Sequence, residues 1–159
     1  MLFNYISNNL LPDEKILYRT TKHWIIFLIP TFLTIMTVFF FMNDNPILVK
    51  MSYALAIITI LHWGNQLLIY YASEFAITDK RVMMREGFFY RHTNETRLSA
   101  IANVGATQSL LGQVLQYGTV FINSFGGETD AFTELDEPIV FQKKLQELLY
   151  SMGGPDRKP

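Results

Sequence analysis

The strongest constraint on the fold is a run of nineteen residues, Trp24 to Met42 (WIIFLIPTFLTIMTVFFFM), that contains no charged side chain. As an α-helix this run would measure about 28 Å at 1.5 Å per residue, close to the hydrocarbon thickness of a bilayer. Pro30 lies near its start, and membrane helices tolerate proline because neighbouring groups can satisfy the freed backbone. The run predicts a transmembrane helix over residues 24–42.

A second apolar run follows a short segment of turn-forming residues, MNDNP. It covers about residues 49–72, which is long enough to cross a bilayer, and it carries three polar side chains, His62, Asn65 and Gln66. Ionisable groups inside a membrane often serve a proton or ligand path. A single histidine without an acidic partner cannot form a relay, so we favour packing against the first helix or a partner subunit through interhelical hydrogen bonds.

The two runs predict a transmembrane helical hairpin over residues 24–72, and its flanking charges predict an orientation. Three basic residues precede the first helix and a basic cluster follows the second, whereas the loop region carries only Lys50. Because cytoplasmic flanks of membrane helices are rich in Lys and Arg, both termini should lie in the cytoplasm. Residues 1–23 are expected to form a cytoplasmic or interfacial segment.

Beyond residue 72 the pattern changes to alternating apolar and polar residues, which indicates β-strands. An apolar face formed by Phe75 and Ile77 resumes at Val82 beyond a turn, which predicts a β-hairpin. Its opposite face carries Glu74 and Thr78. A third strand is expected at Phe88–Thr96, and Leu98, Ile101 and Val104 lead into a fourth. A short apolar turn or helix at Leu110–Leu115 should follow, then a strand from Tyr117 onward and a last one at about Glu128–Leu135.

The segment Asp136-Glu137-Pro138 has the residues of a helix start, with acids near the positive end and proline in the first turn. An apolar stripe follows at helical spacing, formed by Phe141, Leu145, Leu148 and Met152. The sequence therefore predicts about six antiparallel strands and one closing helix in a domain over residues 73–152, followed by a disordered tail at 153–159.

Four sequence blocks run in order along nearly the whole chain: LLPDEKILYRTTKHW (10–24), ITDKRVMMREGFF (77–89), RLSAIANV (97–104) and QSLLGQVLQYGTVFI (108–122). Together they resemble the bacterial pleckstrin-homology-like (PH-like) proteins of the membrane-flanked domain family. Asp13 stands where that family usually has glycine. The resemblance implies an α+β membrane protein: a two-helix transmembrane hairpin followed by a PH-like antiparallel β barrel or half-barrel capped by a C-terminal helix, in the bacterial inner membrane. It does not imply an enzyme.

Composition argues against several function classes. The net charge of −1 gives no basic field for nucleic acid, and the absence of cysteine removes thiolate nucleophiles and thiolate metal ligands. The three histidines, His23, His62 and His92, lack metal-ligand spacing, and Gly126-Gly127 lacks the following lysine of a phosphate loop. We therefore expect no catalytic residues, no metal and no cofactor.

The first hairpin of the soluble part carries a basic cluster of Lys80, Arg81 and Arg85. One interpretation is a site for an anionic ligand such as a lipid headgroup. The other is a solvated turn whose charges are balanced by Asp79 and Glu86. A strand that leaves the membrane and rises about 3.3 Å per residue would place this turn roughly 20 Å above the bilayer, which favours the second interpretation.

The following strand returns toward the membrane and should bring Phe88, Phe89, Tyr90 and Arg91 close to the lipid headgroups. Aromatic and basic residues together are typical of that interface. The alternative is that Phe88 or Phe89 fills the core of the domain.

The sequence as a whole favours a non-enzymatic, membrane-anchored PH-like interaction or scaffold module on the cytoplasmic face. Its expected partners are the lipid bilayer and a membrane protein partner or further copies of itself, and no nucleic acid. The main alternative is an accessory subunit that stabilises or regulates a larger inner-membrane complex. A further alternative is a sensor of anionic lipids.

Overall fold

A computed structural model describes residues 5–87 and 92–153 of the chain. The predicted interface residues Phe88, Phe89, Tyr90 and Arg91 lie outside the described residues, as does the predicted tail beyond Gly153.

Two apolar helices form a hairpin. A 3₁₀ turn at Trp24–Phe27 leads into α2 (Leu28–Phe41), and α3 (Pro46–Ala72) follows a short loop. The Asn45 side chain accepts a hydrogen bond from the Ile47 N–H at 2.9 Å, which caps the start of α3. Both helical segments are long and apolar enough to span a membrane. Only 11% of the most apolar stretch of each segment is buried, whereas the core helix of a soluble protein is mostly buried.

Outside the helical hairpin, the described residues form seven strands in two antiparallel sheets. The first sheet has the order β1 (Ile16–Thr20), β2 (Glu74–Thr78), β3 (Arg81–Glu86) and β4 (His92–Arg97), and the second has β5 (Ile101–Thr107), β6 (Tyr117–Ser124) and β7 (Thr129–Asp136). Two short helices, α1 (Tyr5–Asn8) and α4 (Leu110–Leu115), and the C-terminal α5 (Pro138–Gly153) complete the fold. The predicted α+β, PH-like layout with a C-terminal helix is confirmed.

The sequence predicted a barrel or a half-barrel, and the two sheets do not form a closed barrel. A 3₁₀ turn at Leu98–Ala100 separates β4 from β5, and these two strands belong to different sheets. On the other side an isolated antiparallel bridge joins Lys22 to Leu135, so β1 and β7 approach each other without forming a continuous ladder.

Strand β1 precedes the helical hairpin but belongs to the domain that follows it. Tyr18 pairs with Ile77 of β2, and a bulge lies between Ile16 and Tyr18. The two helices are therefore inserted between neighbouring strands of one sheet. The predicted domain of residues 73–152 omits this strand.

The main core lies between the sheets and α5. Phe75 and Ile77 of β2 pack with Val120 of β6 and with Phe141 and Leu145 of α5, all of them at most 1% exposed. The predicted stripe of α5 thus faces this core through its first three members, with Phe141 and Leu145 fully buried and Leu148 partly buried against the same cluster. Its last member, Met152, is 55% exposed and lies at the rim of an open pocket.

The face of β2 opposite Phe75 and Ile77 is covered as well, since all five residues of this strand are buried. Ile6 of α1 is fully buried against Ala76 and Met83, and Leu10 packs beside it. Ile6 and Leu10, which belong to the segment predicted to be cytoplasmic or interfacial, therefore cover this face of the first sheet.

The strands define two ends of the domain. The end next to the helical hairpin, called the hairpin end, is formed by residues 20–23, 73–74, 86 and 136. His23 directly precedes the helical hairpin and Ser73 directly follows it. At this end the Asp136 N–H donates to the Thr21 carbonyl at 3.1 Å. The distal end carries the β2–β3 turn and the β6–β7 turn. There the Phe125 N–H donates to the Ala100 carbonyl at 3.0 Å.

Candidate functional site

The predicted basic cluster is held by the protein's own acceptors. Arg81 binds Glu14 through two N–H groups, Nε and Nη2, each 3.0 Å from a carboxylate oxygen, and it also pairs with Glu95. Its Nη2 donates to the Asn9 carbonyl at 2.9 Å as well. A bidentate pair of this kind fixes the guanidinium plane.

Glu14 is the buried half of this pair, since its side chain is fully covered. Burial alone would raise the pKa of Glu14, but hydrogen bonds from Arg81, the Leu11 N–H and the Thr78 hydroxyl, together with the charge of Arg81, lower it from 4.5 to about 2. The same contacts raise the pKa of Arg81, mainly through the hydrogen bond to Glu14. The pair is therefore ionised across the physiological range.

The other two members of the cluster are bound to the protein itself or buried. The Lys80 ammonium donates to the Pro12 carbonyl at 2.9 Å, and Arg85 is only 7% exposed. The predicted balancing acids have other partners. Asp79 accepts from the Lys15 N–H at 3.0 Å, and Glu86 pairs with Lys22. A site for an anionic ligand at Lys80, Arg81 and Arg85 stays a prediction, and these contacts count against it.

A second charged cluster lies at the hairpin end, where the sequence indicated only a basic flank. Lys22 is 4% exposed, and its Nζ contacts Glu86 of β3 and, at 3.2 Å, Glu134 of β7. The His23 N–H donates to the Glu134 carbonyl at 2.7 Å, and the Thr20 hydroxyl donates to the Asp136 carbonyl at 2.9 Å. Through these bonds residues 20–23, just before the first helix, contact β3 of the first sheet and β7 of the second.

The helices of the hairpin are joined by hydrogen bonds from residues other than the predicted His62, Asn65 and Gln66. Trp63 Nε1 donates to the Thr34 hydroxyl at 3.1 Å, and the Thr37 and Thr59 hydroxyls lie 3.3 Å apart. Phe27 stacks on Trp63 with ring centroids 5.5 Å apart. Threonines spaced through apolar helices were the available signal, because small hydroxyl residues commonly join membrane helices.

The three polar residues of α3 that were predicted to pack within the membrane do not join the two helices of the hairpin by hydrogen bonds. Within the described chain His62, Asn65 and Gln66 make no side-chain hydrogen bond to either helix, and the Nε2 atom of His62 is buried without a partner. Asn65 is exposed on the outer face of α3, which is the side formed by Ile57, Ile58, Leu61 and Asn65. Their proposed contact with a partner subunit stays a prediction.

Side chains that could bind a metal ion are not clustered among the described residues. No group of three or more His, Asp or Glu side chains among them could hold a metal ion. An open pocket of about 290 Å³ at the distal end is lined mainly by apolar residues, including Leu98, Phe125 and Leu149.

Comparison with known proteins supports the fold. The sequence profile described as Bacterial PH domain matches residues 20–149, a range that begins in β1, includes the helical hairpin and ends within α5. No curated protein and no solved structure matched the chain. Because the profile covers most of the sequence, the chain belongs to the bacterial PH domain family.

Proposed function

We propose that this protein is a non-enzymatic interaction module, anchored by two transmembrane helices at the cytoplasmic face of the bacterial inner membrane, that binds a membrane protein partner or a second copy of itself. Membership of a PH-like family is consistent with a binding module. The observation that carries the proposal is the outer face of α3, where a polar residue is exposed within an apolar span.

That face is formed by Ile57, Ile58, Leu61 and Asn65, which point away from α2 and are exposed. In a bilayer an amide side chain without a hydrogen-bond partner costs several kcal/mol by transfer measurements, on the order of 4–8 for a fully apolar medium. A neighbouring helix can supply the partner. A Cβ on Gly64 would meet nothing within 4 Å, so a second helix could approach the backbone closely beside Asn65.

Two kinds of partner fit this surface. A second copy would make a symmetric dimer through α3, whereas a different membrane protein would make the chain an accessory subunit. The anionic-lipid sensor receives less support, because Lys80 and Arg81 already bind groups of the protein itself.

The test is association of the full chain in membranes, measured by energy transfer between donor- and acceptor-labelled copies and by the mass of the protein purified in mild detergent. The variant Asn65→Leu should lose association, and the control Ile60→Leu, at an exposed apolar site, should keep it. Energy transfer indicates a homo-oligomer, and a stoichiometric second protein indicates an accessory subunit. A monomer in both measurements, or association unchanged in Asn65→Leu, would contradict the proposal.

A further inference from the structure

The short helix α4, between β5 and β6, exposes an apolar face. Leu110, Leu111 and Val114 are 83%, 68% and 79% exposed, and their spacing places them on one side of a helical turn. The surrounding segment, residues 108–118, contains no charged residue. A cluster of exposed large apolar side chains on a folded domain is typical of a surface that binds a membrane or another protein.

This exposure does not result from a loosely held loop. The Ser109 hydroxyl accepts a hydrogen bond from the Gly112 N–H at 3.0 Å, and Gln108 donates to the carbonyls of Gly112 and Tyr117 at 3.2 and 3.3 Å. Gly112 lies so close to the Tyr117 carbonyl that a Cβ there would approach its oxygen to 2.5 Å. Gln116, with φ of 61°, ends the helix in the left-handed region. Polar residues thus fix the turn while its apolar residues point outward.

Helix α4 lies at the hairpin end of the domain. Tyr117, two residues after α4, stacks on His23 with ring centroids 5.4 Å apart, and His23 directly precedes the first residue of the hairpin, Trp24. The Gln116 carbonyl also accepts from the Glu137 N–H at 2.9 Å, at the junction of β7 and α5. The exposed face of α4 is therefore close to the point where the chain enters the first apolar helix.

We propose that the apolar face of α4 inserts into the same bilayer that the hairpin spans, as a third membrane contact. This inference rests on the proposed membrane anchoring. Lipid suits the surface because the exposed side chains are aliphatic and uncharged, and because the start of the hairpin beside it is also apolar and exposed, with Trp24 at 49% and Leu28 at 50%. Exposed Ile139 and Val140 border the same region, since they line a shallow pocket with Gln113 of α4.

A third contact would fix the tilt of the domain relative to the membrane. The ion pairs of Lys22 already attach the domain to the chain before the first helix. Insertion of α4 beside that attachment would leave the distal end pointing into the cytoplasm at a defined height. The domain would then be a rigid platform and not a freely tethered one.

The test uses single cysteines, which the chain allows because it contains none of its own. Leu111→Cys carries an environment-sensitive fluorophore in the full chain, reconstituted in phosphatidylethanolamine–phosphatidylglycerol vesicles. The matched control is Phe125→Cys at the distal end, since both positions are 68% exposed in the protein. A third label at Ile35→Cys in α2 reports on the anchor itself, and Val114→Cys repeats the measurement should Leu111→Cys perturb the fold.

We expect lipid-borne quenchers to quench the label at residue 111 several-fold more than the label at 125, and aqueous iodide to show the reverse order. Iodide access at 111 equal to that at 125, with residue 35 quenched by lipid, would overturn the α4 proposal and leave the anchor intact. Lack of lipid quenching at 35 would overturn both. Protection at 111 from lipid and iodide alike would show a protein surface over α4, a second copy or a partner, and would overturn the lipid assignment.

Discussion

Replacement of Glu14 by glutamine should weaken the first sheet at neutral pH and have a smaller effect in acid. Glu14 lies in the turn before β1 and joins it to β3 through Arg81, and its pKa is lowered from 4.5 to about 2. A carboxylate whose folded pKa is depressed stabilises the protein above its unfolded pKa, and this contribution is lost as the pH falls from 4.5 toward 2. Glutamine keeps the shape and the acceptor oxygen but removes the charge.

The size of the effect follows from the same pKa values. The interval from 4.5 to about 2, at about 1.4 kcal/mol per pH unit, corresponds to roughly 3 kcal/mol of stability at pH 7. This is an upper value for Glu14→Gln, because the amide retains part of the hydrogen bonding. In amide hydrogen exchange, about 3 kcal/mol corresponds to a protection factor lower by roughly a hundredfold.

The measurement is hydrogen exchange of the β2–β3 amides in detergent-solubilised full chain at pH 7 and pH 3. The matched control is Glu147→Gln, because Glu147 makes an exposed ion pair with Lys144 at 4.0 Å and should contribute little. We expect a large loss of protection for Glu14→Gln at pH 7 that narrows at pH 3, and none for the control. An equal loss at both pH values, or none at pH 7, would show that the charge of Glu14 does not stabilise the sheet.

Other variants probe the packing and the hairpin. Gly118→Ala should destabilise the domain by about 1–3 kcal/mol, because its Cβ would lie 2.4 Å from a carbonyl oxygen of β5, whereas Gly105→Ala should be tolerated; thermal unfolding compares the two. Trp63→Phe should lose the hydrogen bond to Thr34 and about 0.6 kcal/mol of the free energy with which the two helices associate. A double-mutant cycle that combines it with a Thr34 variant measures this coupling, and additive effects of the two substitutions would show that the residues are not coupled. Lys22→Met should increase proteolysis between the first helix and the domain, since it leaves two carboxylates without their shared cation; unchanged proteolysis would show that this contact does not attach the hairpin.

The sequence predicted the elements of the second half of the chain well, because alternation and turn residues are local signals. It did not identify β1, although Ile16 to Thr20 contains β-forming residues. Its partner β2 follows only after the inserted hairpin, and local patterns do not encode pairing at that separation. The alternation of apolar and polar residues also predicted the two faces of β2. It did not predict that Ile6 and Leu10 cover the face that carries Ala76.

The candidate site was less predictable for the same physical reason. The residues around Arg81 suggested Asp79 and Glu86 as partners, whereas the contacts come from Glu14 and Glu95, the first of them 67 residues away. The six residues of α4 were recognised as an apolar turn or helix. A segment that short has too few turns for its periodicity to separate a buried face from one exposed toward a membrane.

The proposed function requires that the hairpin crosses the membrane and leaves the PH-like domain in the cytoplasm. It is tested most directly by labelling single cysteines in intact bacteria with a membrane-impermeant maleimide. The loop residue Asp44 and the exposed α5 residue Lys144 provide the two positions. Asp44→Cys should react in intact cells and Lys144→Cys only after lysis. Reaction of Lys144→Cys in intact cells, or protection of Asp44→Cys until lysis, would contradict the account.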